Sequence, residues 1–423
     1  MQPTKPAWRL WQKIVFRFTF LLLGSSTYFC WVMLAYFASG ISPRLNFDPT
    51  SPFRFMTGPL FWLDRHIYHF GYNPAIHGAF PQDNHFGAVF YLSLILVAFI
   101  GAFVWTWIAR SSRQYHRLWF WFRLYLRYTL AMMMFSYGIE KFIPVQMSYP
   151  GIVDLLTPLG EQTRFNILWI FMGVSPGYMM LTGLSEMIAS LLLLNKRTVV
   201  LGSLIQLVIL INVVSFNIFY NVSVKFLSLQ LLIYALFLAA PYFYKLYLLF
   251  CAGQAVILRE KSYSFPPRKQ RLVTGILVLI PLLAFFIETT DALANYRQQQ
   301  ADVRSEKLYD VTSFVATDTL PPLLSDTLRW KRLAFAYSKY AVIYGMNDKL
   351  EYYECDADSS RRTFRLHDGA DSLHWPLLHY AYPAEGQLKL SGQWKGRDID
   401  VSLKSVPIDS MRLSREKTTW ITD

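Results

Sequence analysis

The sequence predicts a polytopic α-helical membrane protein of about seven transmembrane helices, followed by a small C-terminal antiparallel β-sandwich or barrel domain. Three observations predict it. The 423-residue chain is 53% hydrophobic and only 16% charged, against ~25% charged residues in soluble domains. Its apolar residues fall into runs long enough to cross a bilayer, which takes ~20 helical residues. Near residue 290 those runs stop and short alternating segments take over.

The net charge of +13 invites a nucleic-acid reading, but its distribution argues against one. Residues 290–423 carry 18 Lys/Arg and 19 Asp/Glu, whereas residues 1–289 carry 23 basic and only 9 acidic residues. The basic excess therefore sits between the apolar runs, as it does in cytoplasmic loops of membrane proteins. No nucleic-acid partner is expected, and the lipid bilayer is the partner that the composition implies. Cys30, Cys251 and Cys355 are far apart and show no CxxC or Cys/His spacing. Neither a structural disulfide nor a zinc site follows from them.

A basic, aromatic head (1–13) leads into a first span at about 14–38. Its apolar stretch exceeds the 7–15 residues of a signal-peptide core, so a retained helix is expected. Residues 40–85 form a polar loop holding His66, His69, His77 and His85. A metal site competes there with a plain aromatic interface loop. No carboxylate or cysteine completes a ligand spacing, which favours the loop and leaves no metal ligands assigned. A second span covers about 86–109, and a third covers about 119–143 after the basic run Arg110, Arg113, Arg117. Ser175-Pro176 suits the start of a fourth span because Ser caps and Pro is favoured in the first turn. The stretch 161–173 is too short to span, and is expected to lie on the surface or to extend span four. Spans five, six and seven follow at about 198–219, 225–248 and 272–289.

Lys/Arg bias sets the orientation. Lys5, Arg9, Lys13, Arg110, Arg113, Arg117, Lys196, Arg197 and the run Arg259–Arg271 fall on one side when the N-terminus is cytoplasmic. Seven spans then place the C-terminal domain outside, which is the periplasm if the host membrane is a bacterial inner membrane. Residues 291–308 read as a polar helical connector. Segments 332–337, 340–345, 349–355, 362–367, 387–394 and 398–406 alternate like strands. Met346-Asn347-Asp348 and Lys395-Gly396-Arg397 stand where hairpin turns belong.

Ionisable side chains in a span are costly and usually face a bundle interior or a cavity. Within 127–225 these are Arg127, Glu140, Lys141, Glu186 and Lys225, with Tyr137, Asn217 and Asn221 as polar neighbours. Tyr137 and Lys141 share a face at i, i+4. Arg127 lies 14 residues before Lys141, on a similar face but ~21 Å lower. Lys141, Asn217, Asn221 and Lys225 are expected to converge in the outer leaflet, with Glu186 deeper and without a basic neighbour in sequence. The plainer alternative is that the lysines snorkel and the asparagines tie helices together.

At these residues the chain resembles the DoxX family of bacterial membrane proteins, over about 118–248. The shared elements are RxxLxxxxxxYGxxK (Arg127, Tyr137, Gly138, Lys141), GxxE before an apolar run (Gly183, Glu186), and RT followed by LG (Arg197, Thr198, Leu201, Gly202). The pattern NVVxxNxxYxVxVK over 212–225 resembles longer members with extra helices and a β domain. The resemblance implies a DoxX-like four-helix core and quinone-linked redox work, usually with protein partners. The organisation is then 1–117 (two spans and a polar outer loop), 118–248 (core), 249–289 (basic interfacial segment and last span) and 290–423 (β domain).

Three functions are compatible with this reading. In a membrane redox component, Lys141, Glu186 and Tyr137 form the catalytic set, and Arg127, Asn217, Asn221 and Lys225 hold a quinone. In an anchor or scaffold, the bundle presents the β domain to a redox or envelope protein. In a transporter, the charges line a path, but no inverted repeat or paired broken helices support this.

Overall fold

The computed structural model describes residues 8–39, 48–109, 114–258, 267–317, 326, 328–336, 339–367 and 376–415. The expected basic residues Lys5, Arg110, Arg113 and most of the Arg259–Arg271 run lie outside the described residues. The chain divides into two compact units, residues 1–146 with 177–294, and residues 147–176 with 295–423. The connector 147–176 therefore belongs with the β domain rather than with the helices flanking it in sequence.

The first unit is a helical bundle. Its helices are α1 (Leu10–Ser39), α2 (His85–Ile108), α3 (His116–Phe142), α4 (Pro176–Leu194), α5 (Val199–Phe219), α6 (Lys225–Ala239) and the start of α7 (Pro267–Ser305). A 3-10 turn at Ala240–Tyr242 carries α6 into a further helix, Phe243–Phe250. Among the described residues six helical stretches are long and apolar enough to cross a membrane: Leu10–Tyr36, His85–Ile108, Pro176–Leu194, Val199–Phe219, Lys225–Phe250 and Leu277–Ser305. The protein is thus a polytopic membrane protein.

Helix α3 differs from those six. It carries Arg117, Arg123, Arg127, Glu140 and Lys141, and 15 of its 27 residues are buried. It packs along α1 and α6, and Phe135 stacks on Phe285 of α7 with ring centroids 3.6 Å apart. Enclosure by other helices is what lets a helix hold charge at bilayer depth.

Glycines set the helix spacing. A Cβ on Gly183 would stand 2.5 Å from the Gly138 carbonyl oxygen, and one on Gly138 would stand 2.9 Å from the Gly183 carbonyl oxygen. The α3 and α4 backbones therefore touch, as small residues permit in membrane packing. Gly202 brings α5 equally close to the end of α4, 2.8 Å from the Leu193 nitrogen.

Two buried arginines tie helix ends. Pro241 has no N–H to give the Phe237 carbonyl one turn back. Arg123 donates to that carbonyl at 3.1 Å and to the Leu238 carbonyl at 3.0 Å. Arg17, 1% exposed, donates to Thr106 Oγ1, the Ala109 carbonyl and the Tyr115 hydroxyl. The Ala109 carbonyl lies at the C-terminal end of α2, where a cation is favoured.

The second unit is a closed antiparallel barrel of eight strands in sequential order: β1 (Lys307–Ala316), β2 (Trp330–Ala336), β3 (Tyr340–Gly345), β4 (Leu350–Asp358), β5 (Thr363–His367), β6 (Leu377–Ala381), β7 (Gln387–Trp394) and β8 (Arg397–Val406). Closure comes from β1 pairing with β8, Leu308 opposite Val406. This decides between sandwich and barrel. Strands β1 and β6 are additional to the six read from sequence. Alternation sends Trp330, Leu333, Ile343, Leu390, Val401 and Leu403 inward. Lys395 and Gly396 both take positive φ, 47° and 77°, as a two-residue hairpin turn of type I′ requires. The expected polar connector is helical, as the end of α7.

Outside the barrel wall, Leu308, Ala334, Ala336 and Val342 form a second apolar patch covered by Ile152 and Leu156. These come from a short helix, Ile152–Leu156, in the 147–176 segment. Glu306 holds that helix by accepting from the Ile152 backbone N–H at 3.0 Å.

Candidate functional site

The glycine crossing of α3 and α4 determines what lies beside it. Gly138 and Lys141 are three residues apart on α3, as are Gly183 and Glu186 on α4. When the glycines touch, the charged residues one turn away meet. Lys141 Nζ donates to Glu186 Oε1 at 2.6 Å, with side-chain exposures of 11% and 3%. The Nζ also stands 5.9 Å from the centroid of the Tyr137 ring. Lys141, Glu186 and Tyr137, the expected catalytic set, are therefore neighbours. Glu186, read from sequence as a lone deep carboxylate, has Lys141 as its base. Their separation of 45 positions in sequence hid the pair.

The far side of the site is polar as well. Ser190 donates to the Glu186 carbonyl at 2.7 Å, and Gln206 of α5 donates to the same carbonyl at 3.3 Å and to Ser190 Oγ at 3.1 Å. Glu186 Oε2 and Gln206 Oε1 are buried without a hydrogen-bond partner. An unsatisfied carboxylate oxygen in a low-dielectric interior is expensive, so Oε2 is an acceptor that would gain from a donor.

The residues expected to hold a cofactor have contacts of their own. Lys225 opens α6 and binds Asp83 Oδ2 at 3.3 Å and Asn221 Oδ1 at 3.0 Å. Asp83 also accepts from the backbone N–H groups of Lys225 and Phe226, at 2.8 and 3.0 Å, and so caps α6. The pair borders a pocket of about 370 Å³ lined by Phe70, Asn84, His85, Ala88 and Phe226. Asn221 has a positive φ of 55° where α5 turns into α6. Asn217 is buried, with its Nδ2 unpartnered. Arg127 is buried on α3, 5.4 Å from the Tyr128 ring centroid. Lys225 thus meets Asn221, and Lys141 meets Glu186.

Sequence reading missed three acidic residues. Asp83 lies in a loop taken as an interface segment, where its cap is invisible without α6. Glu288 and Asp291 of α7 are buried, 6% and 8% exposed. Their signal was available, since both fall at the end of an apolar run. Of the four loop histidines, His77 and His85 stack 4.2 Å apart. Among the described residues no group of His, Cys, Asp and Glu has metal-holding geometry.

No family model matches the chain, and no solved structure matches it. Over 117 residues it is 33% identical to "Uncharacterized protein YwoB" of Bacillus subtilis (strain 168). That stretch is 28% of this chain and 71% of the relative, so the likeness takes in most of YwoB and about a quarter of the present protein. On that shared stretch the chain belongs to the family of YwoB.

Proposed function

We propose that this is a DoxX-like integral membrane protein acting as a quinone-linked redox component, with the Lys141–Glu186 crossing as its centre. One observation carries the reading: the GxxK and GxxE elements, 45 residues apart, form one buried ion pair that leaves a carboxylate oxygen unpartnered. The donor set suits a quinone oxygen. An ammonium has three N–H groups; one goes to Glu186, and the others remain for a carbonyl oxygen. A bound quinone would supply the electron-accepting group, and a redox protein partner would supply its two electrons. Lys141 would stabilise negative charge developing on that oxygen. Glu186 Oε2 would hold the proton, and Tyr137 would pass it.

Seven crossings, with α3 as the enclosed seventh span, belong to the same proposal. The segment 147–176 and the barrel form one compact unit, so they share a side of the bilayer. An even number of crossings must separate them, and the four apolar helices between residues 176 and 305 supply it. With a cytoplasmic N-terminus in a bacterial inner membrane, that side is the periplasm.

The test is quinone reduction by an added chemical electron donor, or quinol oxidation by an added acceptor, catalysed by the purified full-length protein in nanodiscs. Lys141→Ala and Glu186→Gln are each expected to lower turnover at least tenfold. Full activity in both variants removes these residues from the mechanism, and inactivity of the parent with every quinone class removes the redox reading.

A second reading is favoured by the separate core of the barrel unit. In it the bundle is an anchor, and the barrel binds an envelope or redox protein. It predicts that bundle variants lower stability alone, while partner capture by the full-length protein follows substitutions on the barrel surface.

A further inference from the structure

The helix Arg164–Gly173 in the 147–176 segment has no polar face. Its sequence is RFNILWIFMG, so seven of its ten residues are apolar. A helix apolar all round is ordinarily buried. Here only Leu168, Met172 and Gly173 are buried. Phe171 is 57% exposed and Phe165 36%, while Ile167, Trp169 and Ile170 are half-buried. Phe165 and Trp169 stack at 3.9 Å, making one continuous aromatic surface. Leu159, just before the helix, is 77% exposed.

Two facts name what covers this surface. Ten helical residues reach ~15 Å, half of the ~30 Å hydrocarbon core, so the helix cannot cross. At its C-terminal end it also runs directly into a span. Only three peptide steps separate Gly173 from Pro176, the first residue of the apolar α4, a reach of ~10 Å at full extension. The helix therefore cannot leave the neighbourhood of the membrane surface. Trp and Phe are residues that settle at the boundary between headgroups and acyl chains.

We infer that Arg164–Gly173 is an in-plane membrane helix that buries Phe165, Trp169 and Phe171 in the lipid interface. The helix is linked through the same segment to the barrel. Asn166 donates to Gln162 at 3.2 Å, Gln162 donates to the Asp154 carbonyl at 3.2 Å, and Ile152 and Leu156 cover the barrel wall. A single strap thus holds lipid on one part and the barrel on another, and restrains the barrel at the bilayer surface. The inference is independent of the redox reading.

The experiment uses the full-length protein in phosphatidylcholine nanodiscs, with Cys251 and Cys355 replaced by Ser and a spin label placed at Phe165→Cys or Phe171→Cys. Both labels are expected to be reached better by oxygen than by a water-soluble nickel chelate, with the opposite order for a label at the exposed Glu385→Cys. Chelate access at both strap positions overturns the inference. So does shielding from both reagents that grows with protein concentration, which would make a second copy the occupant. Unlabelled parent protein gives a second measurement through a photoactivatable phosphatidylcholine. Adducts within 159–173 are expected; adducts on the spans with none there overturn the inference.

Discussion

Lys141 and Lys225 each hold a carboxylate within the same bundle, but the two carboxylates depend on their lysines to different degrees. Asp83 is fed by two backbone N–H groups besides Lys225 Nζ, and its pair is 3.3 Å long with the lysine side chain 33% exposed. Glu186 has Lys141 as its side-chain partner, at 2.6 Å, with almost no solvent. The first pair is a helix cap to which a lysine has been added. The second is an interhelical contact in which each charge is the reason the other is tolerable. A buried charge that loses its partner is far more costly than a partly exposed one, so the two stations should respond differently to the same substitution.

The largest effect is expected from Lys141→Ala, which strands Glu186 and should cost about 3–5 kcal/mol in SDS-induced unfolding of the purified protein. Adding Glu186→Gln should restore most of that loss, since the stranded charge is gone. A loss no greater in the single variant than in the double would mean the pair is not coupled. Next comes Gly183→Ala. Its new Cβ would meet the Gly138 carbonyl at 2.5 Å and the Phe142 nitrogen at 2.6 Å, and forcing the helices apart should cost about 1–3 kcal/mol. The same unfolding assay reads it, and a neutral result would deny the close crossing. At the other station Asp83→Ala should cost about 0.5–2 kcal/mol as the loss of a cap, whereas Lys225→Ala should stay within about 1 kcal/mol. Reversal of that order would make Lys225 more than an accessory to the cap.

The smallest effect concerns a third carboxylate, Glu306, outside the spans. Burial raises its pKa above the usual value, and the nearby Asp154 charge adds to this, against the opposing Ile152 N–H. Asp154 is likewise raised by burial. A raised carboxylate pKa means the folded state binds the proton more tightly. The associated stability is complete below the unfolded value of ~4.3 and is lost as pH rises through the folded value. Hydrogen exchange at the Ile152–Leu156 helix should therefore quicken as pH rises through that window, after correction for intrinsic exchange. Glu306→Gln should flatten the dependence. An unchanged profile in that variant would assign the pH response to other groups.

Much of the architecture was legible because it rests on local patterns. Helix limits at His85, Pro176, Val199 and Lys225 fall within a residue or two of those read from the apolar runs. The segments 340–345 and 387–394 are strands as read. Strand β1 was hidden because it begins two residues after α7 ends, where a polar connector masks the change of period. Strand β6 has five residues and weak alternation. Tyr137, Lys141 and Glu186 were legible as costly residues in apolar helices, but their partnership was not. Asp83 drew no notice because its acceptors are filled by the start of a helix 142 residues away.

The sequence by itself determined the solvent for each part of the chain. Long apolar runs demand lipid and alternating segments make two-faced strands, both through transfer energies that act residue by residue. The tertiary structure alone decided which charges meet. The crossing of Gly138 and Gly183 selects Lys141 for Glu186, the β1–β8 pairing closes the barrel, and the segment 147–176 joins the barrel rather than the bundle. Each of these is a contact between distant residues, fixed by how closely two backbones approach, and no local pattern encodes that distance.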